Sequence, residues 1–276
     1  MNKAYLYQKA NSLQRRDAKE VLEEFGHLIQ WRGDGQDTVL DVGCGSGDVL
    51  VDYLLPVLPE NYSHVVGADI SDQMVRYARD TYGHLKRVSF TTLDIGAEIP
   101  TESLNEQYHH LTSFYCLHWV QNQKAAVQNI YNLLLPGGDC LLTFLANMPI
   151  FEIYENMSKS KKWAPYMTDV HKFISPYQHS EKPAEEFWDL MYSAGFTEIR
   201  IELKENFFAY EGIDILKKSV KAINPFLERL PASKHENDYE NDFLNDYLSW
   251  VTRMSLFDEK SRIITPYKLI VAYGRK

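Results

Sequence analysis

Cysteine is scarce in this chain of 276 residues, where Cys44, Cys116 and Cys140 form an odd set without a Cys-x-x-Cys pair or a histidine at ligand spacing. That argues against a disulfide framework or a zinc site. The opening MNKAYLYQKANSLQRRDAKE contains no apolar run of signal-peptide length, and no stretch of about 18 apolar residues is available to span a membrane. Positive charge is also in short supply. Against 38 Asp and Glu stand 29 Lys and Arg, and a net charge of −9 argues against a nucleic-acid partner. The short basic cluster Lys159, Lys161 and Lys162 reads as solvated lid residues. There is no Gly-x-x-x-x-Gly-Lys-Ser/Thr phosphate loop, no Asp/Asn cluster spaced for magnesium, and no internal repeat or low-complexity tract. What remains, 45% of it apolar, is expected to be a cytoplasmic enzyme built on one large α/β domain.

What is present is concentrated at Val39–Gly47, VLDVGCGSG, and at Val65–Ser71, VVGADIS. A short apolar run ends in Asp41, and then Gly43, Gly45 and Gly47 turn the chain. A strand must end there, backbone must approach a ligand, and a helix must begin. Asp69 closes the next strand signal, placed to accept from ribose hydroxyls. The spacing is not that of a dinucleotide site, because Asp48 stands where the third glycine of Gly-x-Gly-x-x-Gly belongs and would oppose phosphates. An acid before Gly-x-Gly-x-Gly suits a nucleoside that carries an amino acid, with Asp41 near its ammonium. S-adenosylmethionine is such a ligand. The string resembles motif I of class I methyltransferases and matches it at every fixed position.

The pattern along the chain alternates helix and strand. Residues 12–31 are read as a helix, with Asn11 and Ser12 as cap candidates. Strands are expected at Thr38–Val42, His64–Asp69, Val88–Leu93, Tyr108–Tyr115 and Asp139–Ala146. Helices are expected after Gly47, at Asp72–Tyr82 behind a Ser71 cap, and at Gln121–Leu135 before the Pro136-Gly137-Gly138 stop. That alternation means a parallel sheet with right-handed crossovers. Residues 147–182 then read as short helices, followed by a helix at Glu185–Ser193, a strand at Glu198–Leu203, helices within 212–260 and a last strand at Lys268–Tyr273. The expectation is a Rossmann-like, seven-stranded class I methyltransferase fold in a single domain, 1–276. Its cofactor-binding core would be 32–146, with helical substrate-cap insertions at 147–190 and 212–262. At the end of the third strand, Asp94 is placed to accept from an adenine amine and Ile95 to offer its backbone N–H, with Ile70 beside Asp69 and Phe114 completing the cofactor set.

The methyl acceptor is harder to read. A phenol, with a pKa near 10, needs a base such as His118, whereas a carboxylate is already ionised at neutral pH and needs only to be desolvated and aimed. Neutral donors suit that task. Gln14 shares a helical stripe with Ala18, Val21 and Phe25 and can face inward, while Arg15 and Arg16 read as solvated. Trp119 follows strand four and brings an indole N–H, a donor without acceptor ability. His118 remains either a base or an orienting or packing group.

Tyr7–Gln14 (YQKANSLQ), Ser113–Val120 (SFYCLHWV), FISPY at Phe173–Tyr177 and SVKAINPF at Ser219–Phe226 together resemble the insect juvenile hormone acid methyltransferases, nearly end to end through the closing VAYGRK. Plant carboxyl methyltransferases show a related pairing with the Ser-to-Gln spacing one residue longer. The resemblance implies that Gln14 and Trp119 bind the substrate carboxylate. It also implies that the substrate is a small apolar terpenoid acid, farnesoic acid or juvenile hormone acid. Cys116 stands where insect members often have Thr, and is expected to pack. Ile150, Tyr154, Trp163, Phe173 and Phe226 are expected to include pocket lining under the cap. The alternatives are methylation of another fatty or aromatic acid, and a non-catalytic homologue that binds cofactor and lipid acid. Oligomeric state is left open.

Overall fold

The computed structural model describes residues 4–98, 106–231, 238–260 and 262–276. Seven strands form one sheet in the order β3-β2-β1-β4-β5-β7-β6. They are β1 Thr38–Val42, β2 His64–Asp69, β3 Val88–Thr92, β4 Tyr108–Phe114, β5 Leu134–Asn147, β6 Thr197–Tyr210 and β7 Ile263–Arg275. The first five pair parallel, as the alternation predicts, while β7 runs antiparallel to both β5 and β6. Apolar residues of the central strands pack into two buried clusters, one on each face of the sheet. The ligand-binding crevice of such a sheet lies beyond the strand ends where the order reverses, here between β1 and β4.

Helices α1 Ala4–Ala10 and α2 Ser12–Phe25 precede the sheet, α3 Asp72–Tyr82 follows β2, and α4 Gln123–Leu133 follows β4. The Ser71 hydroxyl caps α3 by accepting from Met74 N–H at 3.4 Å. The segment after Gly47 is not a plain α-helix. It winds as a π turn over Leu50–Leu54 and tightens to a 3-10 turn at Leu55–Val57, where Pro56 removes a donor. Helices α5 Pro149–Ser158 and α6 Pro183–Ala194 lie between β5 and β6, and α7 Ile213–Ile223 and α8 Tyr239–Arg253 between β6 and β7. Of the second expected insertion, residues 232–237 and 261 lie outside the described residues.

The differences from the sequence reading have local causes. Strand β5 starts at Leu134, ahead of the Pro-Gly-Gly stop, because Leu134 pairs with Tyr108 before the ladder slips and resumes at His110–Asp139. Strands β6 and β7 form one long antiparallel ladder from Thr197–Arg275 to Tyr210–Ile263. Charged and polar residues interrupt its apolar pattern, and Pro266 is tolerated where the β5 pairing has already ended. Strand β6 is the margin of the sheet, with Glu198, Arg200, Glu202 and Glu205 exposed along it. Asn11 does not cap α2 through its side chain. Instead it donates to Asp48 Oδ2 at 2.9 Å.

Candidate active site

The glycine turn after β1 carries the first half of the site. Gly43 has φ +77°, and a Cβ there would stand 2.2 Å from Cys116 Cβ and 2.5 Å from its sulfur, so only glycine fits. The Asp69 carboxylate at the end of β2 accepts from Gly45 N–H at 2.9 Å through Oδ2 and from Ser71 N–H at 2.9 Å through Oδ1. Lone pairs remain on both oxygens. Burial pushes its pKa up. Asp94 accepts from Gly96 N–H at 2.9 Å, and Asn129 of α4 holds the carbonyls of Ile95 and Ala97 at 2.8 and 2.7 Å. Gly43, Gly45, Asp69, Ile70, Asp94 and Ile95 all line one cavity of about 750 Å³.

A second, narrow chamber of about 40 Å³ lies behind it, lined by Gln14, His118, Trp119 and Ile150 among others. Tyr7, Tyr115, Trp119 and Ile223 line both spaces and so form the wall between them. Among the described residues, no Lys, Arg, Asp or Glu lines the inner chamber. The Gln14 Oε1 is buried there without a hydrogen-bond partner among the described residues. Trp119 is carried on the 3-10 turn Leu117–Trp119, held by its own N–H donating to Cys116 C=O at 2.9 Å. Its ring lies 4.8 Å from that of His118 and 5.7 Å, edge-on, from Phe151. His118 is buried, and that burial drives its pKa down to about 3, so the ring is neutral.

Residues 40–140 match the family described as "Methyltransferase domain". The juvenile hormone acid O-methyltransferase of Drosophila melanogaster is 50% identical over 277 residues, covering all of this chain and 93% of that protein. The Bombyx mori protein of the same name is 44% identical over 283 residues, covering all of this chain and 98% of that one. The chain belongs to the juvenile hormone acid O-methyltransferase family. The fold is also that of a solved phosphoethanolamine N-methyltransferase 2 from Haemonchus contortus, with TM-score 0.56 and 15% identity over 99% of this chain and 57% of that one.

A member of this family takes its methyl group from S-adenosylmethionine, and the residues present fit that group. Gly43 and Gly45 present bare backbone to the cavity of about 750 Å³, and Asp69 keeps acceptor capacity beside them. Among the described residues no group of three His, Cys, Asp or Glu could hold a metal, and no helix is long and apolar enough to cross a membrane.

Five expected positions fall outside both cavities of the methyltransferase, Trp163 among them, whose indole Nε1 donates instead to Asp246 Oδ2 at 2.8 Å. Asp41 is 2% exposed and turned into the sheet, where Thr112 Oγ1 donates to it at 2.8 Å. Burial, with the charge of Asp69 adding, pushes its pKa up to about 7, so it is no ready ammonium partner. Phe114 points into the core beneath the crevice, and Tyr154 and Phe226 stack edge-on at 5.2 Å behind the cavity wall. Phe226 in turn backs Phe173, which does line the outer cavity, with centroids 5.2 Å apart. Arg15 and Arg16 are ion-paired rather than solvated. Arg15 reaches Asp48 at 2.6 Å and Asp52 at 2.7 Å, and Arg16 reaches Asp17 at 2.8 Å. Asp48 is thereby turned away from the cavity toward α2, with Ser46 Oγ donating to it at 2.6 Å. Cys116 lines the outer cavity as well as packing on Gly43.

Sequence reasoning missed Tyr7, Tyr115 and Asn129. Tyr7 sits inside the quoted YQKANSLQ string, and its ring lies 3.5 Å from where a Gly45 Cβ would be. Burial, Asp48 and Asp69 raise its phenol well above the ordinary range, so it stays a neutral donor. Gln8 fixes its helix by accepting from Tyr77 at 2.6 Å and donating to Tyr82 at 3.2 Å.

Proposed function

We propose that the chain methylates the carboxylate of an apolar terpenoid acid, juvenile hormone acid or farnesoic acid, to give its methyl ester. The observation that carries this reading is the pairing of Gln14 and Trp119 in a chamber without any ionised side chain, directly behind the cofactor cavity. Bound S-adenosylmethionine would supply a sulfonium methyl open to attack by a carboxylate oxygen, the electrons of the broken S–CH3 bond staying on a neutral thioether, so no proton has to move. In our reading Asp69 accepts from the ribose hydroxyls, Ile70 and Ile95 flank the adenine, and Asp94 accepts from its amine. Gln14 Nε2 and Trp119 Nε1 donate to the acid and turn one oxygen toward the outer cavity. His118, kept neutral by burial, orients or packs and removes no proton. A carboxylate held by neutral donors keeps its nucleophilicity, and the mostly apolar lining of the inner chamber disfavours the water that would solvate it.

Helices α5, α7 and α8 would form the cap over the acid's tail, since Ile150, Val220 and Tyr247 reach the inner chamber from them. The test is to incubate the protein with S-adenosylmethionine and a panel of terpenoid, fatty and aromatic acids, and to look for esters by mass. Ester formed from the terpenoid acids is the expected result. Turnover confined to phenols, or none with any acid, overturns it.

A further inference from the structure

Asp17 stands one turn along α2 from Gln14 and lines neither cavity. It is 1% exposed, yet every part of its carboxylate is engaged. Oδ1 takes the Arg16 guanidinium as a fork, Nε at 3.0 Å and Nη2 at 2.8 Å. Oδ2 accepts from the Tyr267 hydroxyl at 2.6 Å and from the Tyr115 hydroxyl. A buried carboxylate is costly to keep, and packing alone can seat a helix on a sheet, so this one calls for a reason.

Tyr115 supplies it. Its φ is +60°, a left-handed backbone that an aromatic residue adopts only when its surroundings over-determine it. It sits where β4 ends, its N–H donating to Thr143 C=O at 2.8 Å, and its ring lines both cavities. The ring meets His118 edge-on at 5.7 Å, and His118 meets Trp119 at 4.8 Å. Among the described residues, Tyr115–Asp17 is the only hydrogen bond that joins α2 to residues 115–119. Gln14 rides on one of those segments and Trp119 on the other.

We propose that Asp17 is a positioning residue. By holding the Tyr115 hydroxyl it fixes the span between Gln14 and the Leu117–Trp119 turn, so that both donors meet one carboxylate. This rests on the ester-forming reading above. Two donors on separate elements aim an oxygen only if their separation is held, and small misplacements of reacting groups cost large factors in rate.

The test compares Tyr115→Phe with Tyr267→Phe. Each deletes one hydroxyl from the same carboxylate, but Tyr267 lines neither cavity. Tyr115→Phe should lower kcat/KM for the acid about tenfold while the S-adenosylmethionine Kd stays within twofold. Tyr267→Phe should lower Tm comparably and kcat/KM less than threefold. In a Gln14→Ala background, Tyr115→Phe should cost less than a further twofold, because one end of the clamp is already gone. Asp17→Asn keeps an acceptor oxygen and should retain more turnover than Asp17→Ala. If the alanine variant does not fold, the tyrosine pair decides. Parent-like kcat/KM in Tyr115→Phe, equal activity losses in both tyrosine variants, or the full tenfold loss in the Gln14→Ala background overturns the link. A parent enzyme that makes no ester overturns this and the reaction together.

Discussion

The backbone N–H of Leu145 donates to Nδ1 of His118 at 3.3 Å, which leaves the proton of the neutral ring on Nε2. With burial holding the imidazole pKa down at about 3, the ring is neutral between pH 6 and 9 and a weak base. For a carboxylate acceptor, kcat should therefore be flat from about pH 6.5 to 9. A rate that climbs tenfold per pH unit over that window would mean that the acceptor itself must lose a proton there, which makes it a phenol or thiol rather than a carboxylate.

At the cofactor site, Asp69→Ala should weaken S-adenosylmethionine binding by about 2–4 kcal/mol, the loss of two hydrogen bonds to a charged group. Gly43→Ala should be at least as damaging, since its Cβ would overlap Cys116 in a backbone already at φ +77°. Calorimetry on folded variants checks both, and unchanged affinity in Asp69→Ala removes that residue from the site.

Gln14→Ala should cost roughly 1.5–3 kcal/mol in kcat/KM for the acid. Trp119→Phe keeps most of the ring but deletes the indole donor. It should bind S-adenosylmethionine normally and lose most of its turnover. The double variant should lose less than the sum of the two, because an acid held at one end is already misaligned. Steady-state kinetics with direct cofactor titration separates these outcomes, and normal turnover in either single variant leaves the clamp without support.

Stability at the opposite end of β4 depends on a buried histidine between two carboxylates. His110, 3% exposed, places Nδ1 2.7 Å from Asp139 and Nε2 2.8 Å from Asp37. Burial lowers its pKa, but the two carboxylates outweigh that, and the net shift is upward. A folded-state pKa above the unfolded value means the stabilisation is full below about pH 6.5 and fades as pH rises through the folded value. Thermal melts of the parent and His110→Gln should differ most at pH 6 and converge in the alkaline range. A gap that widens with pH contradicts the assignment.

Much of the cofactor half was legible because local chemistry dictates it. An apolar run ending in Asp and alternate glycines fixed β1, β2 and α3 at their observed bounds, and Asp69 and Asp94 sit at strand ends where the sheet topology puts them. Asp41 and Phe114 were misplaced because strand pleating turns those side chains into packing layers, a detail that a motif does not carry. Gln14 and Trp119 were singled out through resemblance and a helical stripe, and both line the inner chamber. Tyr115 was not, since its importance lies in a positive φ and in a contact with Asp17 across 98 residues of chain. Helix α1 was read only as a motif string, being seven residues long and too short for periodicity to announce it.

Strand β6 has a wider consequence. An open margin of fourteen residues is long enough to template a neighbouring chain if it were flat and apolar. With Glu198, Arg200, Glu202 and Glu205 exposed along it, a strand docking there would have to strip water from a row of charges. The charges spaced along β6 thus guard the folded protein against edge-to-edge aggregation.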